Sequence, residues 1–247
     1  MATVKQFRIS PGVPGFIDIA HEGLTYRVAV TRSSRARRIT LRIRPGTCDP
    51  VLTLPSRGNL AVATDFALRH AGWLAARLAR LPSRIPFQAG KTVPIRGLDH
   101  HIIETGALRG VVRAKRIGEV RTLEVPGSPE HVSRRVTDFL KREARRDLET
   151  AVSRHLAASK VSARKISIKD TKSRWGSCSA NGTLSFSWRL ILAPPFVLDY
   201  LAAHEVAHLR ELNHSHRFWR VTRSLCRRTD EAETWMKRYG TSLHRYG

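Results

Sequence analysis

Acidic residues and cysteines are scarce in this 247-residue chain, and long apolar runs are absent. The three cysteines are far apart and form no CxxC pair, which excludes a disulfide framework and fits a reducing compartment. No run of 18 apolar residues occurs, so no transmembrane helix and no membrane partner are predicted. The first residues lack the apolar segment of a secretory signal. We therefore expect a cytoplasmic protein.

The shortage of acids leaves a strongly positive chain. Only 20 Asp and Glu accompany 44 Lys and Arg, and the formal net charge is +24. The excess is spread over both halves, which argues against a separate basic tail. A field of this sign attracts polyanions, so a nucleotide or a nucleic acid is a possible partner. The alternative is that the arginines are simply solvated. With 41% apolar and 26% charged residues, the chain has a globular composition.

The first half of the chain shows the period-two alternation of strands. Residues 24–30 and 39–43 alternate apolar with polar side chains, which predicts sheet strands with one buried face. Between them the basic run Arg32–Arg38 is expected to be a hairpin loop that either contacts phosphate or is solvated. Apolar residues at helical spacing predict one helix over about 59–81. We expect an antiparallel, β-rich N-terminal domain over residues 1–127.

A helix-rich second domain is expected over residues 128–247. Ser128, Pro129 and Glu130 are typical of a helix start. Strands are predicted near 166–169 and 183–188, with Asn181-Gly182 as the turn before the second. Pro194-Pro195 then opens another helix. The expected class for this half is α+β.

The second of these helices contains His204-Glu205-Val206-Ala207-His208, an HExxH motif. Residues four apart on a helix project from one face, so both imidazoles can bind the same zinc ion. Glu205 lies one step around the helix, where it can take a proton from a zinc-bound water without ligating the metal. The spacing therefore predicts a catalytic metal site.

A catalytic zinc ion usually has three protein ligands and one open position. The candidates for the third ligand are His214 and His216, with Glu231 and Glu233 as alternatives from a later helix. If the helix continued, His214 would point away from the metal. The chain must therefore bend between residues 209 and 213 for His214 to serve.

The segment Asp170–Trp219 closely resembles the signature block of the YgjP-like metallopeptidase-domain family, which is related to the SprT-like zincins. The matching pieces are RWGSC, G-x-L, the RL…AP stretch, DY…HE-x-A-H and NHS-x-x-FW. The basic run after residue 31 resembles the same family, so the likeness covers nearly the whole chain. It implies one zinc ion per chain at His204, His208 and His214, with Glu205 as general base.

The resemblance also implies a zincin-like α+β catalytic domain behind the β-rich domain. The predicted function is a zinc-dependent metallohydrolase, a metallopeptidase in which Glu205 activates a zinc-bound water to attack a peptide carbonyl. The substrate is then a peptide or a protein. Two alternatives stay open: a metal-dependent hydrolase of a nucleotide or another phosphoanhydride, and a zinc-stabilised nucleic-acid-binding module without catalysis.

Other side chains near the motif have two interpretations each. Residues 175–178 are either a strand that holds an extended substrate or core residues, and Cys178 is either a ligand or a small buried side chain. Arg174 and Arg189 either clamp an anionic group or are solvated. Tyr200 is a candidate oxyanion donor. Phe218 and Trp219 are expected to pack against the site helix.

Overall fold

The computed structural model describes residues 15–44, 49–79, 84–171 and 174–247 of the chain. Helices and strands are both abundant, so the class is α+β as predicted. The chain divides into two compact units, Met1–Ser83 and Arg84–Gly247.

The first unit is a four-stranded sheet with helices packed on one face. Its elements are β1 (Gly15–His21), β2 (Leu24–Ser33), β3 (Thr40–Ile43), β4 (Pro50–Pro55), α1 (Leu60–Arg69) and α2 (Ala71–Ala79). The strands lie in the order β1-β2-β4-β3. Apolar residues from alternate strand positions, such as Ile19 and Leu52, pack with the helix residues Ala63 and Ala67. The period-two pattern thus forms a core on one side of the sheet.

The strand pairing of this unit differs from the expected hairpin. β2 and β3 do not pair with each other, because β3 forms its antiparallel hairpin with β4. The other edge of β4 then pairs in parallel with β2. The sheet is therefore mixed, although two of its three pairings are antiparallel as predicted. The basic run Arg32–Arg38 crosses from one side of β4 to the other.

The single helix predicted over about 59–81 is divided into α1 and α2. The break lies at His70, whose backbone leaves the helical region (φ −102°, ψ 13°). Its ring Nδ1 donates to the carbonyl of Phe66 at 2.8 Å, which satisfies an acceptor at the end of α1. The last two residues of the predicted helix, 80 and 81, lie outside the described residues.

The second unit begins with a sheet of the same connectivity. Its strands are β5 (Thr92–Ile95), β6 (Leu98–Glu104), β7 (Arg113–Ile117) and β8 (Val120–Val125). They lie in the order β5-β6-β8-β7, with β6 and β8 parallel. The turn between β5 and β6 has positive φ at both Arg96 and Gly97. Arg96 adopts this left-handed conformation although it carries a side chain. Its guanidinium donates to both carboxylate oxygens of Asp147 at 2.7 Å, which connects the turn to the long helix that follows.

That long helix, α3 (Val132–Ser159), follows a 3-10 turn at Pro129–His131. Apolar side chains at helical spacing along it are buried, including Val136, Leu140 and Leu148. The same core cluster contains apolar side chains from the β5–β8 sheet, namely Val93, Ile95, Ile102, Leu123 and Val125. Residues 84–127 therefore pack with the second unit, and the predicted boundary near residue 127 does not coincide with the division at 83/84.

The remaining elements surround the HExxH motif. They are β9 (Lys165–Lys169), β10 (Gly176–Cys178), β11 (Thr183–Ser187), a 3-10 turn (Trp188–Leu192), α4 (Pro195–Ala207), α5 (His216–Leu225), α6 (Thr229–Tyr239) and a 3-10 turn (Gly240–Arg245). The three strands lie in the order β10-β11-β9, which leaves β10 at the edge. The β10–β11 hairpin turns at Asn181-Gly182 as predicted, with Gly182 at φ +76°.

No helix within the described ranges is long and apolar enough to cross a membrane. Cys178 and Cys226 are free thiols, and Cys48 lies outside the described residues.

Candidate metal centre

Helix α4 carries the HExxH motif through the core of the second unit. Pro195 stands in its first turn, where a fixed φ suits a helix start. Its sides are enclosed by the fold, as the burial of Val197, Leu198, Ala202, Ala203 and Val206 shows. The helix ends at Ala207, and the N–H of the capping residue His208 donates to the carbonyl of His204. The chain is therefore free to bend immediately after the motif.

Three histidine rings converge at the end of α4. One nitrogen from each of His204, His208 and His214 lies within 4.8 Å of the other two. His214 Nε2 is 3.2 Å from His204 Nε2. Two nitrogens bound at about 2.0–2.1 Å to one tetrahedral zinc ion lie about 3.3 Å apart. The donor type and the spacing of the triad therefore fit a zinc ion.

Hydrogen bonds orient two of these rings. His208 Nδ1 donates to the carbonyl of Glu211 at 3.1 Å. His204 Nδ1 lies 3.3 Å from the Tyr200 hydroxyl, which in turn donates to Glu233 Oε1 at 3.1 Å. Because the Tyr200 proton goes to the carboxylate, the hydroxyl oxygen accepts from His204 Nδ1. Both rings thus carry their proton on Nδ1, and both Nε2 atoms are free to bind a metal.

The environment also keeps the imidazoles neutral. Burial, followed by the neighbouring His208 and His214, lowers the pKa of His204 to about 4. Burial likewise lowers the pKa of His208, although its bond to the Glu211 carbonyl acts in the opposite direction. A neutral imidazole is the form that binds a metal ion.

Two aromatic rings from α5 pack against the rings of the histidine triad. The Phe218 ring is fully buried, and its centroid lies 4.9 Å, 4.4 Å and 4.7 Å from those of His204, His208 and His214. Trp219 stacks on His214 at 5.8 Å. These contacts confirm that both aromatics pack against the site. They also explain how His214, which belongs to no helix, is positioned.

The carboxylate of Glu205, the residue that follows His204 on α4, is buried. Burial raises its pKa to about 7, against the opposing effects of the Arg174 charge and a hydrogen bond from the Cys178 backbone. Its Oε2 atom is buried without a hydrogen-bond partner. An unpaired buried oxygen of this kind is costly unless a bound group completes it. It is suited to accept a proton from a water held at the triad.

The family model for the YgjP-like metallopeptidase domain matches residues 37–239. The chain belongs to the YgjP-like family. Membership of this metallopeptidase-domain family supports a metallopeptidase and implies a metal ion. No curated protein sequence matches the chain significantly.

The YgjP-like chain is similar over part of its length to two solved structures. One is the metallopeptidase zymogen abylysin of Pyrococcus abyssi, with 20% identity over 37% of this chain and 93% of abylysin, and a TM-score of 0.34. The other is the metallopeptidase zymogen jannalysin of Methanocaldococcus jannaschii, with 23% identity over 37% of this chain and 88% of jannalysin, and a TM-score of 0.34. At these TM-scores neither likeness bears on the fold.

The other third-ligand candidates of this YgjP-like domain lie outside the triad. His216 is exposed at the first position of α5. Glu231 pairs with Arg228, and Glu233 accepts from Tyr200 on the far side of His204. Of the predicted candidates, only His214 therefore joins the two helix histidines.

The arginines and the β10 strand take different places. Arg189 is buried and pairs with Asp170, so it is not solvated and its guanidinium is already bound. Arg174 is exposed and acts on Glu205 by its charge. β10 is an edge strand, as a substrate-holding strand requires. Cys178 is partly buried and does not belong to the metal-binding group.

Sequence reasoning missed two supports of the site. Gly176 leaves the space that the Glu205 side chain occupies. Asp199 accepts a hydrogen bond from buried His155 at 2.6 Å and pairs with Arg154, so it joins α4 to α3. A carboxylate within the otherwise apolar first turns of α4 is the signal that could have indicated this anchor.

Proposed function

We propose that the chain is a zinc-dependent metallopeptidase with one zinc ion per chain, held by His204, His208 and His214. The observation that carries this proposal is the convergence of three imidazole nitrogens, with the buried carboxylate of Glu205 on the helix that carries two of them. A purely structural zinc site closes all four positions with protein ligands. Here three histidine ligands leave a fourth position for water, and Glu205 can act as the acid–base group. This combination is typical of a hydrolytic zinc site.

In this proposal each residue has a separate task. When bound, the zinc ion supplies a Lewis acid that acidifies water and polarises a peptide carbonyl. Glu205 Oε2 removes a proton from the attacking water and returns it to the leaving amine nitrogen. Burial raises the pKa of Glu205, which makes this carboxylate a better proton acceptor than an exposed glutamate. Strand β10 holds the substrate in an extended form beside Glu205.

The first test measures zinc by mass spectrometry and hydrolysis of a fluorescent casein substrate in the same preparations. Glu205→Gln should retain about one zinc ion per chain and lose at least about 100-fold in turnover, because the proton acceptor is removed. His208→Ala and His214→Ala should lose the metal, and His216→Ala serves as the matched control that keeps it. Full activity of Glu205→Gln would show that Glu205 is not the general base.

A parallel panel of nucleoside triphosphates tests the substrate class. Hydrolysis of peptides but not of nucleotides supports the proposal. Zinc-dependent hydrolysis of nucleotides alone, abolished by Glu205→Gln, would show that the metal chemistry is right and the peptide assignment wrong.

A further inference from the structure

Within the described residues, α1 and α2 pack on one face of the sheet of the first unit, and the sheet has a second face with different side chains. α1 and α2 pack with Ile17, Ile19, Val28 and Leu52, which lie on one face. The neighbouring strand positions project to the opposite face, since side chains alternate along a strand. The loop that follows β2 adjoins that opposite face.

Two rows of side chains cross this face in register. The first row runs through Phe16, Ala29, Val51 and Arg42 across all four strands. The second row runs through Thr31, Thr53 and Thr40 on β2, β4 and β3. With strands about 4.8 Å apart, the first row is about 14 Å long. The face therefore has an aromatic ring at one edge, the buried side chain of Val51 and hydroxyl groups near its centre, and an arginine at the other edge.

The loop between β2 and β3 turns the arginine side of this face into a groove. The groove has a volume of about 560 Å³ and is lined by Arg35, Arg37, Arg38, Arg42, Thr40 and Thr53, among others. Thr53 is only 7% exposed, whereas all four arginines are exposed. We refer to this feature, defined by the six residues named, as the basic groove.

The arginines of the basic groove lack acidic partners. None of the described acidic side chains lies within 4 Å of Arg35, Arg37, Arg38 or Arg42. Elsewhere the exposed arginines Arg69, Arg116 and Arg145 each pair with an acid three or four residues away, whereas other exposed arginines, such as Arg57, Arg77 and Arg142, form no salt bridge with a described acid. The groove differs in bringing four such arginines together. The first unit holds 13 Lys and Arg against 4 Asp and Glu. Four guanidinium groups without acidic partners around one concavity repel each other, and a bound anion offsets this repulsion.

An exposed aromatic ring lies on the same face. Phe16 is 44% exposed, and the guanidinium of Arg27 lies 4.9 Å from its ring centroid. A nucleobase can stack on such a ring, and base–aromatic stacking works for every base. A flat lipid surface, in contrast, fits neither a concave groove nor a hydroxyl row beneath it.

We propose that this second face of the first unit binds the phosphodiester backbone of a single-stranded nucleic acid, with phosphates on the exposed arginines of the basic groove and a base on Phe16. Arginine guanidinium groups and threonine hydroxyls donate to phosphate oxygens and are indifferent to sequence. The binding is therefore general for single strands. RNA and DNA share this chemistry, and the experiment distinguishes them. The inference does not depend on the proposed peptidase activity.

The experiment measures binding of the full chain to fluorescein-labelled oligo(U) and oligo(dT) of about 16 nucleotides, to a duplex of equal length, and to phosphatidylserine–phosphatidylcholine vesicles. Salt is varied from about 50 to about 200 mM. The test variant combines Arg37→Gln with Arg38→Gln. The matched control combines Arg69→Gln with Arg77→Gln, which removes the same charge from the helices of the same unit. Zinc content and circular dichroism verify that all variants are folded.

Four phosphate contacts predict a slope of log K against log salt of about −3, since each contact to a single strand contributes about −0.7. The groove variant should bind about tenfold more weakly and lose about 1.4 from the magnitude of the slope. The control should bind within about twofold of the parent chain, because exposed charges far from a site act weakly. Phe16→Ala should weaken binding about tenfold and Phe16→Tyr should restore it.

Several outcomes would overturn the proposal. Equal losses in the groove and control variants would show that binding follows net charge alone. Tighter binding of the duplex, or binding of vesicles without binding of oligonucleotides, would assign the face to another partner. Preference for oligo(U) or for oligo(dT) supports the proposal in either case and identifies the nucleic acid as RNA or DNA.

Discussion

The carboxylate of Glu205 on α4 lies against the backbone of Gly176 on β10. A Cβ atom added at residue 176 would lie 2.7 Å from Glu205 Cγ and 2.8 Å from Glu205 Cδ. Carbon atoms do not approach this closely without displacement of one of them. The absence of a side chain at Gly176 therefore determines where the carboxylate can lie.

We predict that Gly176→Ala retains the metal and loses at least about tenfold in turnover, because a displaced general base lies outside hydrogen-bond reach of the reacting water. The measurements are zinc content and the rate of casein hydrolysis. Gly90→Ala is a control, since nothing lies within 4 Å of its added Cβ, although its positive φ costs some stability. Normal turnover of Gly176→Ala would show that Glu205 has another productive position.

Removal of the Tyr200 hydroxyl should weaken metal binding. Tyr200→Phe loses the group that orients His204, and loss of such an orienting partner lowers metal affinity about 10- to 100-fold. The zinc affinity is measured by competition with a chelator. Tyr239→Phe, on an exposed tyrosine of α6, is the matched control. Unchanged affinity together with a loss of turnover would instead support the predicted role of Tyr200 as an oxyanion donor.

Asp199 should make stability dependent on acid pH. Burial raises the pKa of Asp199, but the hydrogen bond and charge of His155 and the charge of Arg154 together outweigh burial and hold the pKa below its ordinary value of 3.8. A carboxylate with a depressed pKa stabilises the fold above its ordinary pKa, and this contribution disappears as pH falls through the folded value. Below about pH 4, the free energy of unfolding measured with urea should therefore fall more steeply with decreasing pH for the parent chain than for Asp199→Asn.

At neutral pH, Asp199→Asn should lower the free energy of unfolding by about 2 kcal/mol, because it leaves His155 buried with a weaker partner. Asp230→Asn removes an exposed salt bridge with Arg223. This substitution should change the free energy of unfolding by less than about 0.5 kcal/mol. Equal effects of the two substitutions would contradict a specific anchor between α3 and α4.

Fragments can test the division of the chain. Residues 84–247 should fold cooperatively and bind about one zinc ion, because the β5–β8 sheet and α3 share one core. Residues 128–247 should aggregate, since loss of the sheet exposes Val136 and Leu140 and removes Arg96 from Asp147. Thermal unfolding and zinc content are the readouts. A stable, metal-binding fragment 128–247 would support the boundary near residue 127 instead.

The features that could be predicted from the sequence are those that depend on neighbouring residues. The spacing of His204 and His208 places both rings on one helix face, because helix geometry repeats every 3.6 residues. The stripe of α3 and the Asn181-Gly182 turn follow from the same local rules, and the structure contains both. The bend after the motif was also predictable, since no continuous helix can bring His214 to the pair.

Other features depend on contacts between distant parts of the chain. The choice between β2–β3 and β2–β4 pairing is not visible in an alternating pattern, because alternation indicates which side chains face the core and not which strand lies alongside. The break at His70 is accompanied only by Gly72, which lies two residues later inside the first turn of α2. The relation of Tyr200 to Glu233 joins residues on two helices, and that of Gly176 to Glu205 joins a strand to a helix.

By itself, the sequence determined that an HExxH helix, a basic loop and two β-rich segments are present, because propensity and periodicity act within a few residues. Only the tertiary structure decided that His214 rather than His216 approaches the helix pair, that residues 84–127 pack with α3, and that Arg35, Arg37, Arg38 and Arg42 line one groove. Packing made these choices, since it joins side chains that are distant along the chain and that no local pattern relates.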